Sequence, residues 1–234
     1  MIYTLFVGLG VVAALVLGRV GGSAPVPGSV RVAALGGAVL GAHLFELPAD
    51  LWGWTAEVSG LGPPILGRTV LGGLLGGWIA VELEKKRIGL TRPTGDGFAL
   101  PLAVGLTFGR LGCVLTGCCP GRVVESGSVW ARLPIMAEGP PRFPATLVEA
   151  YFHAICALVL LVMRARAIWP GRHLALYLTA YSMVRFALEW ERENPPIAGP
   201  FTYYQLLATA LFALSAITLW RRASPSAAAS PASA

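Results

Sequence analysis

Residues 97–117 read GFALPLAVGLTFGRLGCVLTG. Apart from Arg110, the run holds only glycine, aliphatic and aromatic residues, two threonines, a proline and a cysteine. As a helix it would span about 30 Å, the thickness of the hydrocarbon layer of a bilayer. An arginine inside such a helix is costly and marks a paired or functional group. Two more cysteines follow at once, in GCCPGR at 117–122. A membrane helix with a deep cation beside a cluster of thiols is therefore the first expectation.

Composition agrees. Of 234 residues, 55% are hydrophobic and only 13% charged, against about 25% charged in a soluble domain. Mean hydropathy is +0.66, and the 29 glycines suit close helix packing in lipid. The reading is an all-α polytopic membrane protein. The net charge of +6 follows from basic cytoplasmic loops, so no nucleic-acid partner is expected. Four cysteines at scattered spacing make no disulfide framework. Residues 1–20 are apolar almost from the start and lack a basic leader, so this segment is expected to stay in the membrane.

Seven apolar stretches are long enough to span: 1–20, 31–47, 64–83, 97–117, 143–163, 172–189 and 203–220. The breaks are rich in Gly, Pro and charge. Eleven basic residues fall in breaks on one side: Arg19, Arg31, Lys85, Lys86, Arg87, Arg92, Arg164, Arg166, Arg172, Arg221 and Arg222. Four fall on the other: Arg122, Arg132, Arg142 and Arg192. This bias predicts seven transmembrane helices, an outside N-terminus and a cytoplasmic C-terminus. Residues 1–222 form one transmembrane domain, and the low-complexity 223–234 a disordered cytoplasmic tail.

The remaining basic residues, Arg68, Arg110 and Arg185, fall within or at the ends of the apolar stretches. All three reach a similar depth, toward the outer leaflet. Snorkelling to the interface explains Arg68 best. Arg110 and Arg185 lie too far inside for that. Each has a carboxylate to pair with: Glu189 follows Arg185 at i,i+4, and Glu149 lies near the outer end of its own stretch. A cationic pocket at this depth suits the head group of an anionic phospholipid.

The motif at 109–121 resembles the central signature of the bacterial prolipoprotein diacylglyceryl transferases, G-R-[IL]-G-N-F-x-N-G-E-x-[WY]-G. Gly109, Arg110, Leu111, Gly112, Gly117 and Gly121 match it. LGGLLGG at 71–77 is similar to the family's H-G-G-L-x-G-G and keeps Gly72 and Gly73. RFPATLVEA at 142–150 resembles H-P-S-Q-L-Y-E-A and keeps Glu149. VRFALEWERENP at 184–195 resembles G-R-F-x-x-E-x-x-R-x-P and keeps Arg185, Glu189 and Arg192. Tyr3 and Gln205 resemble a tyrosine of the first conserved helix and a glutamine that opens the last.

The resemblance implies an enzyme of the bacterial inner (plasma) membrane. It would move the diacylglyceryl group of phosphatidylglycerol onto the lipobox cysteine of a prolipoprotein signal peptide at the outer face, releasing glycerol phosphate. Arg110 and Arg185 would clamp the phosphate, held by Glu189 or Glu149. Tyr3, Gly72, Gly73, Gly112, Gly117, Gly121, Arg192 and Gln205 would line the substrate site. The acceptor must become a thiolate, which a cationic pocket favours.

Several family positions differ. Leu71 stands for the histidine, Cys113 for asparagine, Thr116 and Cys118 for the outer members of N-G-E, and Val148 for tyrosine. A histidine is the natural base near neutral pH. His43 or His153 could replace it, and depth along the spans favours His43. Cys113 and Cys118 read three ways: small packing residues, active-site thiols paired with Arg110, or a disulfide or metal site. C-x4-C-C is not a common zinc spacing, so no metal is expected, and no motif calls for a cofactor. Other readings are a paralogue with a different acceptor, a non-catalytic protein that binds anionic phospholipid and, weakest, a small transporter.

Overall fold

In the computed structural model of the chain, the described residues are 2–19, 25–52, 68–119, 121–132 and 139–223. Helices occupy all seven apolar stretches: α1 Ile2–Arg19, α2 Gly28–Leu44, α4 Val70–Arg87, α5 Asp96–Thr116, α6 Ala145–Ala165, α7 His173–Leu188 and α8 Tyr203–Ala223. A short α3, Leu47–Trp52, follows α2 within a segment whose sequence reads as a break. Its Pro48 sits in the first turn, where a helix tolerates proline. The proposed tail beyond residue 223 lies outside the described residues.

The fold is an all-α integral membrane protein. Among the described residues, four segments are long and apolar enough to cross a bilayer: Gly28–Trp52, Asp96–Thr116, Ala145–Ala165 and Tyr203–Arg222. Two of the other stretches fall short for local reasons. Charged residues fill the last turns of α4, which ends ELEKKR, and α7 has 16 residues before a 3-10 turn at Glu189–Glu191. Large aliphatic side chains such as Val32, Leu35, Leu40, Ile155 and Leu158 lie exposed on α2 and α6, as a lipid-facing surface requires.

Glycine sets the tightest contact. α2 and α4 pack through Gly37 and Gly41 against Gly72 and Gly76, two small-x3-small pairs that let the backbones touch. A Cβ on Gly41 would lie 2.4 Å from the Gly72 carbonyl oxygen, and one on Gly76 would lie 2.4 Å from that of Gly37. α1 lies along α5, α5 along α6, and α7 along α8. The core joins α4 to α8 through Leu71, Leu75, Ala103, Leu178, Tyr181 and Leu211. Between the α1–α5 and α2–α4 pairs runs an apolar cavity of about 520 Å³. It extends from Arg31 and Arg222 at one end to Gly73 and Gly109 at the other.

Asp96 ties the opposite end of the bundle. Its carboxylate accepts the backbone N–H of His173 at 3.0 Å and that of Gly171. Arg172 donates to the Arg222 carbonyl at 2.7 Å, and Arg222 donates to that of Gly171. The starts of α5 and α7 are thereby joined to the end of α8. After α7, Pro196–Ala198 (β1) and Phe201–Thr202 (β2) form a small antiparallel hairpin that leads into α8.

The glycine seam makes a sharp contrast. Gly76→Ala should destabilise the detergent-solubilised protein by about 1–3 kcal/mol, seen as a lower Tm, because the added methyl meets backbone that cannot move aside. Gly36→Ala, where a Cβ meets nothing within 4 Å, should leave Tm unchanged or slightly raised.

Candidate functional site

The site begins with one carboxylate. Glu149, in the second turn of α6, is fully buried, and three guanidinium groups surround it. Arg110 Nε, near the end of α5, stands 2.6 Å from Oε2, although neither atom completes an aligned hydrogen bond. Arg192 Nη2 donates to Oε1 at 3.1 Å. Arg185 Nε, in the last turn of α7, lies 3.9 Å from Oε1. Burying a carboxylate is tolerable only with such partners. Helix ends assist: α6 offers its positive N-terminus to Glu149, and α7 its negative C-terminus to Arg185.

A second carboxylate fixes one of these arginines. Glu189 accepts Arg185 Nη1 at 2.5 Å, Asn194 Nδ2 at 2.7 Å and Thr202 Oγ1 at 2.9 Å. With its oxygens so occupied it acts on Arg185, not on a ligand. Thr202 and Gln205 form a capping box on α8: Gln205 Oε1 accepts the Thr202 N–H at 2.9 Å, and Thr202 Oγ1 accepts the Gln205 N–H at 3.3 Å. Buried Gln205 reaches the cluster through Thr202, and its Nε2 donates to the Phe186 carbonyl at 3.4 Å. Tyr204 lies beneath, its ring 5.8 Å from the Arg185 guanidinium and its hydroxyl donating to Glu46.

The cluster holds three guanidinium groups and two carboxylates, so its immediate balance is one positive charge. Arg110 and Arg192 keep 11% and 13% of their side chains exposed while Glu149 has none. The open cationic faces are theirs. Such a balance suits a phosphate or another anion that presents several acceptor oxygens.

Loops hold Arg192 in place. Arg122 pairs with Glu191 at 2.9 Å, and its N–H donates to the Glu191 carbonyl at 2.7 Å. Arg142 donates to Glu193 at 2.9 Å and to the Gly121 carbonyl at 3.1 Å. The Arg142 hydrogen bond, helped by the Val123 N–H, holds the Glu193 carboxyl below the usual range. Gly121 sits where a Cβ would lie 2.7 Å from the carbonyl oxygens of Glu191 and Phe143, so only glycine lets these loops meet.

The cysteines gather at the end of α5. Gly117 adopts φ +66° as the left-handed cap. Its N–H donates to the Val114 carbonyl at 3.3 Å and that of Cys118 to the Cys113 carbonyl at 3.1 Å, a Schellman pattern. Cys113 is buried, and Cys118 and Cys119 are half-buried. The Cys119 thiol is held below its usual pKa by hydrogen bonds from Cys113 and Cys118, then by Arg192 and Arg110, against the effect of burial.

Other expected residues are spread more widely. Gly112 is buried in α5 beside the cluster, and Gly72 faces α2 while Gly73 lines the apolar cavity. Arg68 is exposed. The side chain of Tyr3 lies outside the described residues. His43 is half-buried in the last turn of α2, its Nδ1 2.9 Å from the Val39 carbonyl oxygen. His153, one turn past Glu149, is fully buried, with Nδ1 2.8 Å from the Tyr177 hydroxyl and Nε2 unpaired. The histidine that shares the electrostatic environment of Glu149 and Arg110 is thus His153. Depth cannot reveal this; the E-x3-H spacing on α6 could. Cys119, Thr202 and Asn194 also join the site without having been singled out. No group of three or more His, Cys, Asp or Glu side chains among the described residues is arranged to hold a metal ion.

A family model described as prolipoprotein diacylglyceryl transferase matches residues 1–221. Curated relatives named phosphatidylglycerol–prolipoprotein diacylglyceryl transferase are similar over shorter stretches. That of Chlorobaculum tepidum is 38% identical over 134 residues, covering 55% of this chain and 45% of the relative. That of Helicobacter hepaticus is 34% identical over 106 residues, covering 45% and 36%. That of Aromatoleum aromaticum is 30% identical over 162 residues, covering 68% and 61%. The matched part thus spans from about a third to three fifths of the relatives' length. The chain belongs to the prolipoprotein diacylglyceryl transferase family.

The hub carboxylate should be indispensable to stability. Glu149→Gln leaves buried guanidinium groups with too little counter-charge and should lower unfolding free energy by about 3–5 kcal/mol, measured by thermal or denaturant unfolding in detergent. Removing an arginine as well, in Glu149→Gln with Arg192→Gln, should recover part of that loss.

Proposed function

We propose that this family member transfers the diacylglyceryl group of phosphatidylglycerol to a cysteine thiol of a prolipoprotein. The observation that carries the reading is the ring of Arg110, Arg185 and Arg192 around buried Glu149, with two cationic faces left open. The thiolate sulfur attacks the glycerol carbon that bears the phosphate. A carbon–sulfur bond forms, the carbon–oxygen bond breaks, and glycerol phosphate leaves with the electron pair. Charge grows on that phosphate in the transition state, where guanidinium groups in a low-dielectric site stabilise it most. Arg110 binds the phosphate directly, with Arg192 beside it, and Arg185 contributes its charge. Glu149 and Glu189 are positioning residues. The apolar cavity that ends at Gly73 and Gly109 offers room for acyl chains beside Arg110.

The thiol proton needs an acceptor. His153 Nε2, unpaired and beside Glu149, is the base we assign in place of His43. Tyr3, Gly72, Gly73, Gly112, Gly117, Gly121 and Gln205 shape the site through backbone and packing, and Cys113 and Cys118 line it. The acceptor is the lipobox cysteine of a signal peptide, reached at the outer face of a bacterial inner membrane. Residues 1–222 cross that membrane seven times as one domain, with the N-terminus outside and residues 223–234 as a cytoplasmic tail. The eleven-to-four division of basic residues supports this topology.

One observation favours a second reading. Leu71 occupies the position of the family histidine and is 1% exposed in the apolar core. A protein that binds phosphatidylglycerol without transferring from it would keep the arginine ring and dispense with that base.

Complementation of a strain depleted of its own diacylglyceryl transferase separates the two. A lipoprotein N-terminus carrying the diacylglyceryl mass supports transfer; phosphatidylglycerol binding without it supports the second reading. Arg110→Lys keeps the charge but loses the forked donors, and should reduce kcat/KM by at least about tenfold. Full activity in that variant would end the phosphate-clamp assignment. A reporter fused after residue 222 should give a cytoplasmic signal; a periplasmic one would invert the topology.

A further inference from the structure

We propose that Glu46 and Tyr204 are positioning residues that fix the Arg185 guanidinium from outside its own helix, Glu46 acting through the Tyr204 ring. This role rests on the transfer reading above, in which Arg185 contributes its charge to the phosphate site. Glu46 lies in the turn between α2 and α3, and Tyr204 in the first turn of α8. Both are buried, as is Arg185. The Tyr204 hydroxyl donates to Glu46 Oε1 at 2.5 Å, and the ring centroid stands 5.8 Å from Arg185 Cζ, within cation–π range. The neighbouring Tyr203 hydroxyl donates to the Phe45 carbonyl at 2.8 Å. Two adjacent phenols thus fasten the start of α8 to the turn at residues 45 and 46.

The chemistry of Glu46 shows what this bond supplies. Its second oxygen, Oε2, is buried and makes no hydrogen bond among the described residues. A buried carboxylate with one oxygen unsatisfied costs stability, and an apolar side chain of similar volume would pack there at less cost. What the carboxylate provides is an acceptor at the tip of Tyr204. Without it a buried hydroxyl must turn toward another partner, and the ring turns with it. The acceptor also polarises the phenol, which enriches the ring that meets the cation.

Arg185 needs a hold of this kind. Its Nη1 is bonded to Glu189 at 2.5 Å, which fixes one edge of the guanidinium. Glu149 Oε1 lies 3.9 Å from Nε, too far for a hydrogen bond. A planar group held at one edge can hinge about it, and the Tyr204 ring removes that freedom. Misplacing a charge that acts in the transition state lowers kcat and leaves KM little changed.

The full chain in phosphatidylglycerol nanodiscs is assayed for transfer to a lipobox-bearing peptide, and its Tm is measured alongside. Glu46→Leu with Tyr204→Phe removes both partners of the buried bond, so Tm should hold or rise. In the same double variant kcat should fall about threefold to tenfold, with KM within about twofold of wild type. Each single variant should match the kcat of the double within about twofold, because each breaks the same bond. Glu46→Gln keeps an acceptor oxygen and should retain at least about half of wild-type kcat. Unchanged kcat, a loss confined to KM, or a kcat loss in the double variant accompanied by a lower Tm would overturn the positioning role. Additive single effects, or no rescue by glutamine, would do the same. Should Glu46→Leu fail to fold, Tyr204→Phe keeps every carbon of the ring and carries the test. Phenylglyoxal labelling of Arg185, read by peptide mass spectrometry, reports independently of turnover. Tyr204→Phe and Glu46→Leu should each speed it at least about threefold; unchanged labelling overturns the proposal. Labelling that responds while the wild type transfers nothing overturns the transfer reading and leaves the hold on Arg185 standing.

Discussion

Glu149 carries the site. A carboxylate with no exposed surface is untenable alone in an apolar bundle. Here it draws Arg110 from α5, Arg185 from α7 and Arg192 from the turn that follows. These groups are distant in sequence, and a single anion makes them neighbours. Its remaining dependants are indirect. Glu189 fixes Arg185, the Thr202–Gln205 capping box supports Glu189, and the Arg122–Glu191 and Arg142–Glu193 pairs hold Arg192 from either side. An anion-binding surface results because the two carboxylates neutralise only part of the positive charge.

What the chain reveals without coordinates follows from how unusual each residue is in its setting. Arg110, Arg185, Glu149 and Glu189 are charges inside apolar runs, and a charge there stands out against any background. Helix positions were legible for the same reason, through long apolar stretches separated by Gly, Pro and charge. By charge alone Arg192 was legible as a loop residue, and only the family motif drew it to the site, because nothing local reports the 3-10 turn that returns it to the cluster. The histidines show the limit of depth. His43 and His153 differ in which way they face around their helices as well as in height, and only packing of α6 against α5 and α7 reveals the former.

Smaller devices were present but easily passed over. T-Y-Y-Q at 202–205 is a readable capping pattern, and Gly199, at φ +60°, opens the turn of the hairpin before it. The glycines at 71–77 announce a close approach without naming the partner. Their chief partner is α2, whose own Gly37 and Gly41 complete the seam. Gly117 says the same of the cysteines: a left-handed cap after a helix brings the next residue back onto the last turn, here one thiol onto another.

The Arg110–Glu149 contact also bears on how the chain is made. α5 and α6 are consecutive spanning helices, joined outside the bilayer in the topology proposed here. Held alone at the middle of a membrane, an arginine or a glutamate costs roughly 2.5–3.5 kcal/mol on insertion scales. Arg110 and Glu149 lie toward the outer ends of their helices, so a translocation channel that released α5 before α6 would incur part of that penalty. Release of the two as a hairpin lets the opposite charges meet before either faces lipid. The order of elements along the chain thus offers biogenesis a neutral unit, and a longer delay between α5 and α6 would deny it one.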